Sequence, residues 1–311
     1  DSMLLPITKL SLALKSALSS VAHPHQAHHP RKHTGDVIHA LQEQGISVLG
    51  PEHRAEAAAL AGRSFSGTPT ADPEWGVHWA LGPWLADRSD PRRAELVGFF
   101  CAADIVRFGP KAPSALRFRN RPQQSAPSAG SELMLGIKGD KGELQAVVVA
   151  RKMTGHRMGL VADLEDAAAM MRVLWSRLAA IPSALSDPTL RKRAIWPAIG
   201  RKNDMVPLTD DLHQRHALDE HWYVHIMTVD PEHQGKGHCG RLMRSVSQVA
   251  DAEGLPCFLF CTKKNRFVYE RFGYHVSEEV SVTDTRSAPE DTFPTLDQMF
   301  AMRRPATVPT Q

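Results

Sequence analysis

The stretch that decides the fold is His221-Trp-Tyr-Val-His-Ile-Met-Thr-Val229, followed by Asp230-Pro-Glu-His-Gln-Gly-Lys-Gly-His-Cys-Gly240. The first nine residues are rich in aromatic and β-branched side chains, which favours a β-strand. The next eleven contain three glycines, and an apolar stripe at helical spacing then runs to Gly254. Residues 257–261 form another apolar run of strand length. The sequence therefore predicts a strand, a glycine-rich turn, a helix and a second strand.

This turn has the features of an anion-binding site. Glycines let a backbone approach a phosphate closely, and the first N–H groups of a helix have no partners within the helix. The helix dipole also favours negative charge at this end. The candidate phosphate contacts are the backbone groups of six consecutive residues: Gly235, Lys236, Gly237, His238, Cys239 and Gly240.

The spacing of these glycines also matches the dinucleotide fingerprint Gly-x-Gly-x-x-Gly. Five residues separate Val229 from Gly235, whereas a dinucleotide-binding turn reaches its first glycine directly from the strand. Lys263 and Lys264 follow the next strand where an acidic residue would bind the ribose, and these lysines would suit a 2′-phosphate. An NADP-dependent oxidoreductase is therefore one alternative function.

Two motifs in this region resemble the signatures of the GNAT acetyltransferase superfamily. Gln234-Gly-Lys-Gly-His-Cys239 fits the pattern Gln/Arg-x-x-Gly-x-Gly/Ala except at its last position, where Cys239 replaces Gly or Ala. About thirty residues later, Asn265-Arg-Phe-Val-Tyr-Glu-Arg-Phe-Gly-Tyr274 resembles the family's Asn…Tyr…Gly-aromatic helix and turn. The resemblance is close over residues 220–275.

The resemblance implies an α/β (α+β) fold of the GNAT acyl-CoA N-acyltransferase type. Such a fold has a mixed, mostly antiparallel sheet flanked by helices, and its central strands, here residues 222–229 and 257–261, are splayed apart. The expected divisions of the chain are a flexible arm at 1–44, the acetyltransferase domain at 45–304 and a tail at 305–311. Residues 299–304 resemble the last strand of the family. Residues 1–44, 109–131 and 182–219 have no counterpart that can be placed.

Sequence patterns upstream of the motifs are compatible with this order of elements. They predict a short strand near Ile46, a hairpin formed by residues 132–137 and 143–150, and helices at 52–65, 92–108 and 163–181. Phe65, Trp75, Trp79 and Trp84 either line an aromatic pocket for the acceptor or belong to the core.

The resemblance also implies how the chemistry proceeds. An acceptor amine would attack the thioester of acetyl-CoA directly, without a covalent enzyme intermediate. Backbone groups of Met227, Thr228 and Val229 would align the pantetheine arm, and a backbone N–H there would stabilise the oxyanion. Gln234 and Asn265, which belong to the two motifs, are expected to bind the cofactor.

Candidates for proton transfer follow from side-chain chemistry. Tyr269 is the expected general acid, since a phenol near the thioester sulfur can protonate the departing thiolate. The base is left open between His225, an imidazole of the kind used near neutral pH, and water activated near Tyr223 or Glu220. Strand alternation places Tyr223, His225 and Met227 on one face. Tyr269 and His225 could instead be packing residues.

Composition limits the range of partners. The chain has 311 residues, 42% of them hydrophobic, and a net charge of +3. So small a charge gives no basis for binding duplex nucleic acid, and no apolar run is long enough to predict a membrane span. We expect acetyl-CoA as co-substrate, no metal, and an acceptor amine on a small molecule or a peptide. The oligomeric state is left open.

Residues 2–35 contain no Asp or Glu, and their amphipathic, Ser/Ala-rich start resembles an organellar transit peptide. A disordered N-terminal arm is the alternative. The expected location is therefore cytoplasmic, or organellar if this segment acts in targeting. The predicted function is N-acetyl transfer from acetyl-CoA to an amine, and a non-catalytic acyl-CoA-binding module on the same fold is a second alternative.

Overall fold

A computed structural model describes residues 34–67, 91–110, 132–153, 188, 196–282 and 296–307. Every described residue belongs to one compact unit, Lys32–Gln311. Several predictions lie outside the described residues: the transit-like segment, the three tryptophans, most of the 109–131 loop and the helix at 163–181. None of the helices described is both long and apolar enough to cross a membrane.

The described elements follow one another in a mixed order of helices and strands. The helices are α1 (Thr34–Glu43), α2 (Arg54–Phe65), α3 (Pro91–Phe108), α4 (Trp196–His216), α5 (His238–Glu253) and α6 (Lys263–Glu270). The strands are β1 (Ser47–Val48), β2 (Glu132–Lys138), β3 (Leu144–Met153), β4 (His221–Val229), β5 (Cys257–Thr262), β6 (His275–Val282) and β7 (Leu296–Arg304). Short 3-10 turns at Pro51–His53 and Pro231–His233 precede α2 and α5.

The seven described strands form one sheet in the order β1-β2-β3-β4-β5-β7-β6. Every neighbouring pair is antiparallel except β4 and β5, which run parallel. A parallel pair needs a crossover connection, and α5 provides it. The predicted mixed, mostly antiparallel sheet flanked by helices is therefore confirmed.

The β4–α5–β5 unit forms for reasons that are visible in its sequence. The apolar stripe of α5 is buried against the sheet, with Leu242, Met243, Val246 and Val249 all inaccessible to solvent. Gly254 ends the helix in a left-handed conformation, with φ +69°, and its N–H bonds the carbonyls of the last turn. Burial of this stripe fixes α5, and therefore its N-terminus, relative to the end of β4.

Helices cover both faces of the sheet, and each face has its own core. Residues of α1 and α5 pack against one face, where Leu41, Leu242 and Tyr274 are buried. Residues of α2, α3 and α4 pack against the other face, where Leu60 and Ile105 are buried. We call these the α5 face and the α3 face.

Three elements differ from the sequence prediction. Ordered structure begins before Gly45, because α1 already packs on the sheet through Leu41, which is fully buried. The segment 182–219, which has no predicted counterpart, contains α4. Between the second motif and the predicted last strand, β6 pairs with β7 as an additional edge strand. The predicted last strand at residues 299–304 is confirmed as part of β7.

Candidate active site

The parallel pair at the centre of the sheet separates along its length. β4 and β5 pair at three positions, from Trp222–Cys257 to Val224–Leu259, and the pairing ends there. β4 continues for five residues beyond Val224, and no described strand lies on the β5 side of them. An extended ligand can therefore pair with this edge as an added strand would. The predicted splay of the central strands is confirmed, and we call the opening the β4–β5 gap.

A β-bulge changes which side chains of β4 share a face. The register with β3 shifts between Val149 and Ala150, which makes His225 the extra residue on β4. One extra residue sends the following side chains to the opposite faces. Tyr223 packs on the α3 face, whereas Met227 packs on the α5 face. The prediction that Tyr223, His225 and Met227 share one face is therefore wrong for Met227.

The loop after β4 is held at its start by one carboxylate. Asp230 caps the 3-10 turn, and its Oδ1 accepts a hydrogen bond from the N–H of Glu232 at 3.1 Å. Its Oδ2 lies 2.8 Å from a guanidinium nitrogen of Arg63 on α2. Because one side chain contacts both the loop and α2, the direction in which the chain leaves β4 is fixed.

The two loop glycines adopt conformations that L side chains rarely adopt. Gly235 has φ +78° and Gly237, the N-cap of α5, has φ +81°. A Cβ atom placed on either glycine would meet no atom within 4 Å. The glycines are therefore required by the backbone conformation and not by crowding. The backbone surface at both positions is bare, which suits the close approach of a phosphate.

The first turn of α5 presents backbone donors at the same place. The N–H of Arg241 bonds the carbonyl of Gly237 at 3.1 Å. The N–H groups of His238, Cys239 and Gly240 come before it and have no acceptor within the helix. Together with the helix dipole, these donors can bind an anion. The residues present therefore fit the diphosphate of an acyl-CoA.

Basic side chains surround this turn in different ways. The Arg244 guanidinium is exposed, and Nη1 lies 3.3 Å from the position of a Cβ atom on Gly240. Lys236 is exposed in the loop. Arg241 instead donates a hydrogen bond from Nη2 to the carbonyl of Gln44 at 2.7 Å, which attaches the first turn of α5 to the segment after α1.

Both side chains that begin α5 are uncharged near neutral pH. Burial, aided by the Arg241 guanidinium, lowers the pKa of His238. Burial raises the pKa of the Cys239 thiol. Nδ1 and Nε2 of His238 are buried and have no hydrogen-bond partner among the described residues. Buried polar atoms are normally paired, so a ligand oxygen at this turn would satisfy a group that the protein leaves open.

The second motif forms α6 and the turn after it. Tyr269 is half-buried and packs on the same core as Met227 and Val229, so it lies on the α5 face. Its carbonyl accepts hydrogen bonds from the N–H groups of Phe272 and Tyr274, at 2.9 and 3.3 Å. The two tyrosine rings meet edge to face at 6.1 Å. The backbone around Tyr269 is therefore fixed by the turn that the motif predicts.

The two remaining polar motif residues lie on either side of the gap. Gln234 is exposed and donates from Nε2 to the carbonyl of Val229 at 3.4 Å. Asn265 is half-buried near the start of α6, directly after β5. Their assignment to cofactor binding stays a prediction.

The α3 face carries a cluster of side chains that can transfer protons. Nδ1 of His225 lies 3.0 Å from the Tyr223 hydroxyl. Nε2 of the same ring lies 3.7 Å from Oδ2 of Asp104 on α3. The side chains of His225 and Asp104 are 21% and 25% exposed, so both are mostly buried but reachable. Glu220, the other candidate base, is exposed in the turn before β4.

Asp104 is not among the site residues that the sequence motifs predict. It is the only acidic residue in the α3 sequence after Glu95, within an otherwise mostly apolar stretch. An isolated carboxylate in the buried half of a helix is unusual, because a buried charge needs a partner. The isolated position of Asp104 in this apolar stretch is the feature by which the sequence could have indicated a functional residue.

His213 of α4 completes this face. Its ring is 9% exposed and packs against Tyr223, Phe258 and Phe260, with ring centroids 4.6, 4.8 and 5.3 Å away. Nδ1 donates to the carbonyl of Thr209 at 3.0 Å. Burial lowers the pKa of His213 to about 4, so the ring is neutral near pH 7. In the described residues, no group of three or more His, Cys, Asp or Glu side chains could hold a metal ion.

Residues 210–274 match the model of the acetyltransferase (GNAT) family. This range contains β4, the glycine loop, α5, β5 and α6, and therefore both motifs and the β4–β5 gap. The predicted resemblance to the GNAT superfamily is confirmed, and the match lies in this part of the chain.

Two curated relatives agree with this assignment. Both are uncharacterized N-acetyltransferases of Schizosaccharomyces pombe. The first is 32% identical over 98 residues, which are 29% of this chain and 40% of the relative. The second is 36% identical over 62 residues, which are 20% of this chain and 26% of the relative. The chain thus matches less than half the length of either relative.

Solved structures of similar shape include arylalkylamine N-acetyltransferase 2 from Aedes aegypti. The alignment covers 84% of this chain and 98% of that structure, with 11% identity and a TM-score of 0.46. A likeness of this degree says nothing about the substrate of this protein.

Proposed function

We propose that this protein transfers an acetyl group from acetyl-CoA to an amine. The observation that carries the proposal is the bare glycine loop at the N-terminus of α5, which directly continues the open edge of β4. One extended ligand with a diphosphate can therefore contact the loop and the strand edge together. When bound, acetyl-CoA supplies an acetyl group that is activated as a thioester.

The strand edge provides the groups that position and polarise such a ligand. Backbone N–H and C=O groups of Met227, Thr228 and Val229 lie at the open part of β4. They can pair with an extended pantetheine arm in the manner of strand addition. A backbone N–H directed at the thioester carbonyl would stabilise the negative charge that develops there during attack. These groups need no reorganisation, because β3 holds the other edge of the strand.

The two sets of proton-transfer residues lie on opposite faces of the sheet. Tyr269 is on the α5 face, with the loop, whereas Tyr223 and His225 are on the α3 face. Direct transfer requires a proton acceptor on the amine side of the carbonyl and a donor on the thiolate side. We assign Tyr269 as the general acid and the His225 side as the base, with no covalent enzyme intermediate.

The described sheet does not suit the oxidoreductase alternative. A dinucleotide-binding domain is built on a mostly parallel sheet with repeated βαβ units. Among the strands described here, β4 and β5 are the one parallel pair. The acyl-CoA-binding alternative shares the loop and the gap, and it differs from an enzyme only in lacking turnover.

An acetyl-CoA consumption assay tests the proposal. Purified protein would be screened with acetyl-CoA against small primary amines, polyamines, aromatic amines and peptides with a free N-terminus or lysine. We expect release of free CoA thiol together with an acetylated amine that mass spectrometry identifies. The control is Gly237→Asp, which should lose binding and turnover together. Tight binding of acetyl-CoA without turnover on any amine would leave only the binding module.

A further inference from the structure

We propose that Asp104 is a positioning residue, and that it completes a Tyr223–His225–Asp104 proton relay on the acceptor side of the β4–β5 gap. This inference rests on the proposed acetyl transfer, and it extends that function to a residue outside both motifs. The three side chains come from two elements, β4 and α3, which are more than a hundred residues apart in the sequence.

The contacts set the roles of the two ring nitrogens. A neutral imidazole has one donor and one acceptor nitrogen, and its neighbours select which is which. A carboxylate can only accept, so Asp104 near Nε2, at 3.7 Å, favours the tautomer with the proton on Nε2. Nδ1 is then the acceptor and receives the hydrogen bond from the Tyr223 hydroxyl at 3.0 Å. The base nitrogen is therefore the one directed at the phenol.

The relay is built on rigid parts of the fold. His225 takes its position because it is the bulge residue of β4, directly after the last register pair with β5. Asp104 takes its position from its helical neighbours, since Ala102 and Ile105 are buried in the core of the α3 face. Tyr223 packs against His213 in the same core. Sites held by packed elements keep the geometry that proton transfer needs.

The proton step balances without any further reactant. The acceptor enters as an ammonium ion, and one of its N–H protons passes to the Tyr223 oxygen as the Tyr223 O–H proton passes to Nδ1 of His225. The N–H bond of the ammonium breaks, the Nδ1–H bond forms, and the phenol ends unchanged. The products are a neutral amine and an imidazolium ion beside the Asp104 carboxylate, which stabilises the new positive charge. The amine lone pair is then free to attack.

Another buried histidine on the same face does not offer this chemistry. His213 has its Nδ1 engaged by the Thr209 carbonyl within α4. Its ring lies between aromatic side chains, and burial lowers its pKa to about 4, which makes it a weak base near neutral pH. The pairing of an imidazole with both a hydroxyl and a carboxylate is seen at His225.

Substitution of Asp104 tests the relay with two readouts. Asp104→Asn keeps the size and removes the negative charge, and Asp104→Glu restores the charge. For Asp104→Asn we expect kcat to fall about 10²-fold, the lower end of what general base catalysis is worth, while the KM for acetyl-CoA stays within about twofold. Asp104→Glu should recover part of kcat. Asp140→Asn, in the exposed β2–β3 turn, is the matched control and should behave as wild type.

The second readout is the ¹⁵N spectrum of the imidazole nitrogens, which reports the tautomer directly. In the wild-type protein without ligands, His225 should carry its proton on Nε2, and Asp104→Asn should lower that preference. Tyr223→Phe should lower kcat to a similar extent and shift the Nδ1 signal, and combining it with Asp104→Asn should add little. Tyr223→Phe also keeps the relay testable if Asp104→Asn does not fold.

The outcomes separate the relay from the proposed function. Wild-type kcat and an unchanged ¹⁵N pattern in folded Asp104→Asn would overturn the relay while acetyl transfer stands. If the wild-type protein acetylates no amine, the proposed function fails, and the ¹⁵N spectra still decide whether Asp104 sets the tautomer of His225. An equal loss of kcat in Asp140→Asn would also overturn the assignment. The loss would then follow from removing any negative charge from the protein, and not from the contact between Asp104 and His225.

Discussion

At the β4–β5 gap, the two faces of the sheet present different kinds of chemical group. On the α5 face, the proposed binding of acyl-CoA uses backbone groups: two glycines with positive φ and the first N–H groups of α5. On the α3 face, the proposed proton transfer uses side chains, namely those of Tyr223, His225 and Asp104. The first set is local in the sequence, and the second set is assembled by tertiary packing.

This difference explains why one face can be recognised in the sequence and the other cannot. A backbone site needs glycine at fixed positions, so it leaves a short motif such as Gln234-Gly-Lys-Gly-His-Cys239. A side-chain site can draw its members from any element that packs nearby, so it leaves no fixed spacing. The comparison predicts that substitutions on the α5 face change cofactor affinity or leaving-group chemistry, and that substitutions on the α3 face leave cofactor affinity alone.

The largest effect is expected for Tyr269→Phe, which removes the phenol and keeps the ring. General acid catalysis is typically worth about 10²–10⁴-fold in rate, so the single-turnover rate should fall within that range. Packing against the α5-face core is preserved, so the affinity for acetyl-CoA should change little. Rapid-quench measurement of one turnover is the right assay, because slow product release can hide a chemical defect.

A wild-type single-turnover rate in Tyr269→Phe would show that the tyrosine only packs and that solvent protonates the thiolate. Tyr274→Phe is a poor control, because the Tyr274 side chain is fully buried. Phe272→Leu, two residues before it in the same turn, is better, since it changes packing without removing a proton donor.

Gly237→Asp should weaken acetyl-CoA binding by about 10²-fold, or about 2.7 kcal/mol. It places a negative charge where the backbone would meet a diphosphate, and it occupies a position with φ +81°. Gly142→Asp is the matched control: φ is +83°, and a Cβ atom there also meets no atom within 4 Å. Calorimetry should show near-wild-type affinity for the control. Equal losses in both variants would mean that backbone strain, and not the anion site, causes the effect.

The packed α3 face should lose stability in mild acid. Burial lowers the pKa of His213 to about 4, from about 6.5 in an unfolded chain. The unfolded state therefore binds more protons between these values, and stability falls as the pH falls from about 6.5 toward 4. Because of this one residue, the free energy of unfolding should be about 2 kcal/mol lower at pH 5 than at pH 7.

Urea unfolding of His213→Phe at the two pH values measures this contribution. The phenyl ring keeps the aromatic contacts, so the variant should show a smaller loss in acid than the wild type. Some loss should remain, because burial also lowers the pKa of His221. His39→Phe, at a largely exposed position of α1, is the matched control for replacing an imidazole by a phenyl ring. The same loss in His213→Phe as in the wild type would contradict a buried neutral His213.

Cys239→Gly should have the smallest effect. The thiol is half-buried, and burial raises its pKa, so it is uncharged near neutral pH. In the proposed site, Cys239 contributes its backbone N–H group and not its side chain. Affinity for acetyl-CoA should stay within about threefold of wild type and could tighten, since the side chain at this position becomes smaller. Loss of turnover at unchanged affinity would instead give the thiol a chemical role that the account does not include.

Particular elements show how far the sequence alone reaches. The strand, loop and helix from β4 to α5 were predicted at nearly their observed bounds. The hydrophobic periodicity, the turn glycines and the glycine that ends the helix all indicate the same boundaries there. α4 was missed because Pro207 lies inside it and its apolar residues are poorly segregated. β6 was missed because Glu278 places a charge on the half-buried side of the strand, and because β6 is an edge strand that, among the described strands, pairs only with β7.

Within the site, the β-bulge in β4 could not be predicted from the sequence. Strict alternation along β4 gave the wrong face for Met227, because a β-bulge depends on the register with β3. Asp104 was missed for a related reason, since its contact with His225 depends on how α3 packs against the sheet. Both errors concern which side chains make up the α3 face.

Hydrogen–deuterium exchange of the whole protein with and without acetyl-CoA tests the central claim most directly. We predict slower exchange for the amides of residues 226–229 and 235–241, and no change for the amides of β6. NADPH at the same concentration should protect neither segment. Protection that leaves out both the open edge of β4 and the glycine loop, or that appears equally with NADPH, would contradict the claim that the β4–β5 gap binds acetyl-CoA.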